Sequence, residues 1–313
     1  MISRIRDFFE NEWYYYKMRF SKKYYIICRS AGGAGFFSNY MWVLGHVIFA
    51  RKLGYIPVVD MENYPTLYSE KMSVDGERNA WNYYFEDVGN VNLKEAYESD
   101  CYVMGQDKPL HRYEGKYCIG SYRFPTQKAI AYYAPIIEKN LIIKKEFTNS
   151  FEEAWSKKVS GKDKVLGIHV RGTDMKNNLG HPVPADISVY LNKMMELLAK
   201  NPEITKVFLA TDECNVIAKF EKALQDTKWT LFMNDVFRVW DTEGKKHVGV
   251  HETKVENARP FHKYLMGKEV LNDAYFLSKC DYLICGHSNI TNVVLLWNSN
   301  KYIQAVCIES GNN

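Results

Sequence analysis

Strand-like and helix-like patterns alternate along the chain from residue 24 onward. An apolar run at 24–28 leads through a glycine-rich turn at 30–35 into a helical stretch. Ser38 is predicted to cap that helix and Gly54 to end it, and a buried strand at 55–60 completes a βαβ unit. The first part of the chain is therefore predicted to be α/β.

The middle of the chain is less periodic. From about 62 to 122 the aromatic and polar residues predict only loops, short helices and one or two strands. Helical patterns return at 126–140 and 146–158. They are followed at 160–163 by a polar break of the kind found between domains.

Strands and helices alternate regularly in the second half. Strands are predicted at 165–170, 207–211, 230–233, 282–285 and 302–306. The predicted helices are 186–200, one ending near 224, 268–279 and 289–298. This alternation is typical of a parallel, doubly wound sheet. We therefore predict an α/β domain over 24–160 and a second one over 161–313.

Composition narrows the class of protein. With 313 residues and 46% hydrophobic content, the chain is long and apolar enough for two domains. A net charge of +4 is too small for a protein that coats nucleic acid, so no nucleic-acid partner is expected. The seven cysteines form no CxxC pair and are odd in number, which favours a reducing, cytoplasmic setting.

The N-terminal segment, residues 1–23, is rich in aromatic and basic residues. Its charges interrupt any apolar run, and nowhere does such a run reach the roughly 20 residues that cross a bilayer. An amphipathic helix is predicted here. Two placements stay open, one docked on the body of the protein and one lying peripherally along a lipid interface.

Polar residues follow the strand at 165–170. In open parallel sheets, ligands bind beyond the carboxyl ends of the strands. His169 and Arg171 share a face because strand side chains repeat with period two, and Asp174 follows. An arginine fork binds phosphate oxygens through two parallel hydrogen bonds, so Arg171 is expected to bind a leaving phosphate. The alternative is a structural Arg171–Asp174 ion pair.

The glycine-rich turn matches neither a Walker loop nor GxGxxG. Gly33 and Gly35 still permit close approach of a ligand to the backbone, and the next helix offers free N–H groups. A tight βα turn is the other interpretation.

Three further strand ends or helices carry candidate residues. Glu213 follows the strand at 207–211. Ser288 or Asn289 is expected to cap the next helix, whose exposed backbone N–H groups would also bind phosphate, and neither role excludes the other. Asp273 lies on an apolar helix face and needs a partner, either guanine N–H donors or a nearby basic side chain or backbone amide. DxD and HExxH motifs are absent, so no metal is expected.

The run His169-Val-Arg-Gly-Thr-Asp174 resembles the HxRxxD-type motif of the GDP-fucose-dependent fucosyltransferases. That superfamily comprises the α-1,6-fucosyltransferases, the nodulation fucosyltransferases and the protein O-fucosyltransferases. Two later blocks, at 209–213 and 269–288, match in order. The resemblance covers roughly 164–298, with a weaker similarity at 28–60.

This resemblance implies a GT-B-like enzyme with two Rossmann-type doubly wound domains facing a cleft. It implies inverting, metal-independent transfer from GDP-fucose, with the nucleotide sugar on 161–313 and the acceptor, a glycan, glycolipid or lipid-linked oligosaccharide, on 24–160. Arg171 would bind the β-phosphate, and His169 and Asp273 the guanosine. Ser288 and Asn289 would bind the diphosphate.

The sequence departs from the α-1,6 pattern near the motif. Gly172 replaces a second arginine, Met175 replaces a lysine, and Leu179 stands where a glutamate is expected. An inverting transfer generally uses a carboxylate to accept the acceptor's proton. The candidate bases, in order, are Asp174, Glu213, Glu252 and Glu256. A transferase for another nucleotide sugar and a degenerate, non-catalytic carbohydrate-binding protein are the alternative functions.

Overall fold

A computed structural model describes Trp13 and six segments of the chain: 24–30, 32–99, 101–105, 123–171, 185–238 and 259–309. The chain divides into two units. The first comprises Met1–Cys118 and Ala131–Lys144, and the second Ile119–Ile130 and Lys145–Asn313.

The first unit contains a parallel sheet of three strands in the order β2–β1–β3. Its elements are β1 (Tyr24–Ile27), α1 (Phe36–Lys52), β2 (Ile56–Val59), α2 (Leu93–Glu98) and β3 (Tyr102–Met104). The strand, helix and strand at 24–59 confirm the predicted βαβ unit. The short α2 and β3 also agree with the weak periodicity of the segment after residue 62.

The start of α1 differs from the prediction. Gly35, not Ser38, is the N-cap residue, and it makes no side-chain cap hydrogen bond. Instead the N–H of Phe36 donates to the hydroxyl of Tyr68 at 2.9 Å, and the two rings pack edge to face. A tertiary contact therefore replaces the local cap and begins the helix earlier.

Gly54 ends α1 as predicted, with a left-handed φ of 76°. A Cβ at this position would meet nothing within 4 Å, so only the backbone conformation opposes a side chain. We expect Gly54→Ala to lower the free energy of unfolding by about 1 kcal/mol, measured by urea denaturation. Gly161→Ala is the control, since Gly161 has open space and no left-handed φ; equal effects of the two substitutions would contradict this account.

The second unit contains a parallel sheet in the order β6–β5–β4–β7–β8. Helix α3 (Gln127–Asn140) lies mostly in the first unit, and α4 (Lys145–Lys158) begins the main segment of the second. The strands are β4 (Lys164–Val170), β5 (Ile204–Thr211), β6 (Thr230–Phe232), β7 (Tyr282–Gly286) and β8 (Gln304–Ile308). The helices between them are α5 (Ile187–Lys200), α6 (Cys214–Leu224), α7 (His262–Lys279) and α8 (Asn289–Asn298). The predicted parallel sheet is confirmed.

Several boundaries in this unit differ from the prediction. Strand β5 begins three residues earlier, at Ile204. Helix α7 begins six residues earlier, after Phe261 in a left-handed conformation. Strand β8 begins two residues later, because Ser299 and Asn300 are left-handed and the Tyr302 N–H donates to Asn298 Oδ1 at 2.7 Å. Residues 299–303 therefore form a turn instead of continuing a strand.

The strand order creates a switch point between β4 and β7. From β4 the chain moves outward through β5 to β6, then returns to the other side of β4 as β7 and β8. His169 and Cys285 are register partners on these adjacent strands. In open α/β sheets, ligands bind outside the carboxyl ends at such a reversal.

The two faces of β4 pack against different helices. Ile168 and its even-numbered neighbours contribute to a core with Tyr190 of α5 and Phe220 of α6. On the other face, a Cβ at Gly167 would lie 2.9 Å from the Cys280 Sγ at the end of α7. His169 shares the face of Gly167 and so lies on the α7 and α8 side of the sheet.

Among the described helices, none is both long and apolar enough to cross a bilayer. The predicted amphipathic segment 1–23 lies outside the described residues, apart from Trp13. The division into 24–160 and 161–313, with acceptor and nucleotide-sugar roles facing a cleft, stays a prediction.

Candidate functional site

The carboxyl ends of β4 and β7 bring together most of the predicted nucleotide-binding residues. His169 and Arg171 come from the end of β4, and Ser288 and Asn289 from the β7–α8 turn. His169 is only 8% exposed, and its Nδ1 lies 3.3 Å from the Thr291 hydroxyl in the first turn of α8. This contact joins the two strand ends.

A chain of hydrogen bonds fixes the tautomer of His169. The Thr291 hydroxyl donates to the Gly286 carbonyl at 2.7 Å and accepts from the Ser288 hydroxyl at 3.0 Å. A threonine hydroxyl has one hydrogen and two lone pairs, so its remaining capacity is to accept. The His169 Nδ1 therefore donates to Thr291, and Nε2 is left as a hydrogen-bond acceptor.

The same imidazole is held neutral. Burial, followed by the charge of Arg171, lowers the pKa of His169 to about 3. A neutral ring with an Nε2 acceptor receives N–H or O–H donors and adds no positive charge. The sequence alone gave no indication of either property.

We expect His169 to stay neutral, with its proton on Nδ1, from pH 5 to pH 8. Long-range ¹H–¹⁵N NMR spectra distinguish the two tautomers and the imidazolium. In urea-unfolded chain the same ring should titrate near pH 6.5, which serves as the control. A folded-state titration near pH 6.5 would contradict the arrangement.

Arg171 supplies positive charge at this switch point. It directly follows β4, is half-buried, and lies close enough to His169 to affect that residue's pKa. The N-terminus of α8 adds the positive end of a helix dipole. The electrostatics therefore favour an anionic ligand here.

Ser288 has the structural role predicted for it, that of a helix cap. It is the N-cap of α8, and its Oγ accepts the Thr291 N–H at 3.1 Å. The N–H groups of Asn289 and Ile290 belong to the first helical turn, which has no intrahelical acceptors for them. Backbone binding of phosphate by Asn289 is therefore compatible with the cap, and the phosphate roles of Ser288 and Asn289 stay predictions.

Asp273 is buried on α7, on the same side of the sheet as His169. Its Oδ1 accepts a hydrogen bond of 2.9 Å from the Asn234 amide, and its side chain is 7% exposed. The pKa of Asp273 is raised to about 7, mainly by burial, although the Asn234 hydrogen bond and the charge of Arg238 act to lower it. A neutral amide is thus its direct partner, and its guanosine role stays a prediction.

Two residues of this cluster were missed by sequence reasoning. Asn234 and Arg238 follow the end of β6, and Arg238 donates to the carbonyls of Thr211, Val236 and Asn234. The strand-end rule that selected candidates after four other strands also applies to β6. Extending it there would have found both residues.

The other candidates lie elsewhere. Glu213 is 1% exposed at the start of α6, where its N–H donates to the Thr211 hydroxyl. In the first unit, Gly33 and Gly35 are exposed; a Cβ on either would meet nothing within 4 Å, and neither has a positive φ. The fold therefore does not itself require glycine there. Asp174, Glu252 and Glu256 lie outside the described residues.

No model of a known protein family matches the chain. Several solved structures do resemble it. One is the fucosyltransferase NodZ from Bradyrhizobium, with a TM-score of 0.52, 17% identity, and coverage of 88% of this chain and 93% of that one. NodZ α-1,6-fucosyltransferase co-crystallised with GDP has a TM-score of 0.52 and 15% identity, and the match covers 88% of this chain and 92% of that one.

POFUT1 in complex with GDP-fucose is also similar, with a TM-score of 0.52, 12% identity, and coverage of 92% of this chain and 98% of that one. Both proteins come from the superfamily whose motifs the sequence resembles. At these identities the likeness concerns the fold. The chain therefore adopts the predicted GT-B-like α/β fold, which it shares with the fucosyltransferases NodZ and POFUT1.

Proposed function

We propose that the chain is a fucosyltransferase that moves fucose from GDP-fucose to a hydroxyl of a glycan, glycolipid or lipid-linked oligosaccharide. The observation that carries this proposal is the junction of β4 and β7. There Arg171, neutral His169 and the first turn of α8 meet at the switch point of a parallel sheet. The shared fold supports the choice of donor, since POFUT1 has been solved with GDP-fucose.

Arg171 is proposed to stabilise the departing GDP. As the bond from the anomeric carbon to the phosphate oxygen breaks, negative charge grows on the diphosphate. A guanidinium fork and oriented backbone N–H groups bind that charge more strongly in the transition state than in the ground state. Direct attack by the acceptor hydroxyl then inverts the anomeric centre without a covalent intermediate.

Guanosine is proposed to contact His169 and Asp273 on the α7 and α8 side of the sheet. The His169 Nε2 accepts an N–H or O–H donor. The Asp273 carboxylate accepts the N1–H and the exocyclic N–H of guanine, which are two donors on one edge of the base. Within the part of the chain that the structure describes, the Asn234 amide is the hydrogen-bond donor to this buried carboxylate, which leaves acceptor capacity for the two guanine donors.

A carboxylate is proposed to accept the acceptor's proton. Asp174 is the first candidate, because it lies three residues beyond Arg171; Glu213, Glu252 and Glu256 follow.

The transfer is proposed to be metal-independent. The positive charge of Arg171 would neutralise the leaving diphosphate, as a divalent cation does in metal-dependent transferases. The nucleotide sugar is assigned to 161–313 and the acceptor to 24–160. A cytoplasmic site of action, with residues 1–23 at a membrane surface, completes the proposal.

The test is acceptor-dependent release of GDP. Calorimetry should show GDP-fucose binding more tightly than UDP-sugars or other GDP-sugars, with and without EDTA. A panel of glycans and glycolipids is then screened for GDP release and fucosylated product. Tighter binding of another nucleotide sugar would support the rival transferase. Donor binding without turnover on any acceptor would support a non-catalytic carbohydrate-binding protein.

A further inference from the structure

Buried Asn234 and half-buried Arg238 lie next to Asp273, and the proposed reaction assigns neither of them a role. We infer that Asn234 is a positioning residue that holds Asp273 as an oriented carboxylate and thereby makes the site select guanine over adenine. This inference rests on the proposed function, because it concerns the same nucleotide site. It assigns a role to a residue that contacts Asp273, not the ligand.

The geometry gives Asn234 little freedom. Its side chain is 3% exposed, and its Nδ2 donates to Asp273 Oδ1 at 2.9 Å. The main-chain carbonyl of Asn234 accepts a hydrogen bond from Arg238 Nη2 at 2.8 Å. The same guanidinium donates to the Thr211 carbonyl at 3.2 Å through Nε and to the Val236 carbonyl at 3.3 Å through Nη1. Arg238 thus ties the Asn234 backbone to the end of β5, so the amide is fixed against Asp273.

The charge state of Asp273 decides which purine edge it matches. An ionised carboxylate only accepts hydrogen bonds, and so pairs with the N1–H and exocyclic N–H of guanine. A protonated carboxyl offers one donor and one acceptor, which pair with N1 and the N6 amino group of adenine. An amide donor aimed at Oδ1 favours the ionised form. Asn234 therefore favours guanine.

The surroundings of Asp273 bring its pKa close to neutral pH, so the Asn234 hydrogen bond has a large effect on its charge state. Its pKa is raised to about 7, and burial is the main cause. The Asn234 hydrogen bond is the larger effect that lowers this pKa and the charge of Arg238 the smaller, while the charges of Glu269 on the same helix and Asp212 after β5 act with burial to raise it. Glu269 is itself ion-paired with Arg259. Without the amide donor, the carboxyl would be largely protonated at pH 7.

The experiment compares Asn234→Ala with the wild-type chain. GDP and ADP affinities are measured from pH 5.5 to 8.5, and the Asp273 carboxyl is titrated by ¹³C NMR in nucleotide-free protein, assigned with Asp273→Asn. GDP affinity should fall as the pH drops through the Asp273 pKa. In the variant that midpoint should rise by about one pH unit, GDP should bind about fivefold more weakly at pH 7, and the GDP-to-ADP preference should shrink.

Asn82→Ala is the matched control, because Asn82 Nδ2 donates to Asp87 Oδ1 at 2.7 Å in the first unit. It should leave the GDP midpoint unmoved. Asn234→Asp keeps the shape of the side chain, replaces the donor with a second carboxyl, and should raise the Asp273 midpoint further. If the alanine variant does not fold, the Asn234→Asp variant tests whether Asn234 controls the ionisation of Asp273.

Equal weakening of GDP at every pH, with the ¹³C midpoint unchanged, would show that Asn234 only supports the loop and would overturn the inference. If the wild-type chain binds no GDP, the proposed function fails, while the ¹³C titration still decides whether Asn234 sets the charge of Asp273. The two failures are therefore distinguishable.

Discussion

Arg171→Ala is expected to lower the rate of fucose transfer by about 10²–10³-fold, the range found when one donor to a developing oxyanion is removed. The loss follows from position, since Arg171 directly follows β4 at the β4–β7 switch point. Arg171→Lys keeps the charge but not the planar fork, so it should recover only part of the rate. Affinity for GDP should fall by less than the rate does, because the charge being stabilised is largest in the transition state.

Single-turnover transfer and GDP titration separate these two effects. Arg78→Ala is the matched control, since Arg78 is 72% exposed in the first unit and its ion pair with Glu62, at 3.6 Å, is a weak surface contact. That variant should transfer fucose at the wild-type rate. Near-wild-type turnover in Arg171→Ala would remove the phosphate role and, with it, the main support for the mechanism.

Much of the fold was predictable, because the periodicity of hydrophobic residues and the lengths of the apolar segments distinguish strands from helices. The parallel sheet of the second unit follows from strands that alternate with helices, and β5 and β7 lie close to their predicted positions. The boundary errors have two causes. Tyr68 caps α1 from 32 residues away, and no local pattern encodes such a partner. The late start of β8 is a local effect, because Asn298 accepts the N–H of Tyr302 within a turn whose residues Ser299 and Asn300 are left-handed.

The candidate site was predictable to the extent that it lies at strand ends. That rule selected His169 and Arg171, and the structure places both at the switch point. It did not find Thr291, because a threonine within an apolar helix has no distinguishing pattern, although this residue fixes the His169 tautomer. Nor did it give the charge states, since the pKa of His169 and that of Asp273 depend on burial.

Phe208→Ala is expected to lower the free energy of unfolding by about 3–5 kcal/mol, the usual cost of removing a fully buried phenylalanine. Phe208 is 0% exposed on β5, with its ring centroid 5.3 Å from that of Phe232 and 5.3 Å from that of Phe276 on α7. Its register partner is Gly167, whose missing side chain leaves room for α7 to lie against the sheet. The cavity would therefore open beneath the helix that carries Asp273.

Urea denaturation followed by circular dichroism measures this loss. The control is Ile303→Ala, since Ile303 is 58% exposed and should change the free energy of unfolding by no more than about 0.5 kcal/mol. Because Asp273 lies one turn before Phe276 on α7, GDP affinity should fall in Phe208→Ala as well. A variant that lost several kcal/mol of stability yet bound GDP like the wild type would show that Asp273 does not depend on this packing. A loss below about 1 kcal/mol would mean that the aromatic cluster can close over the gap.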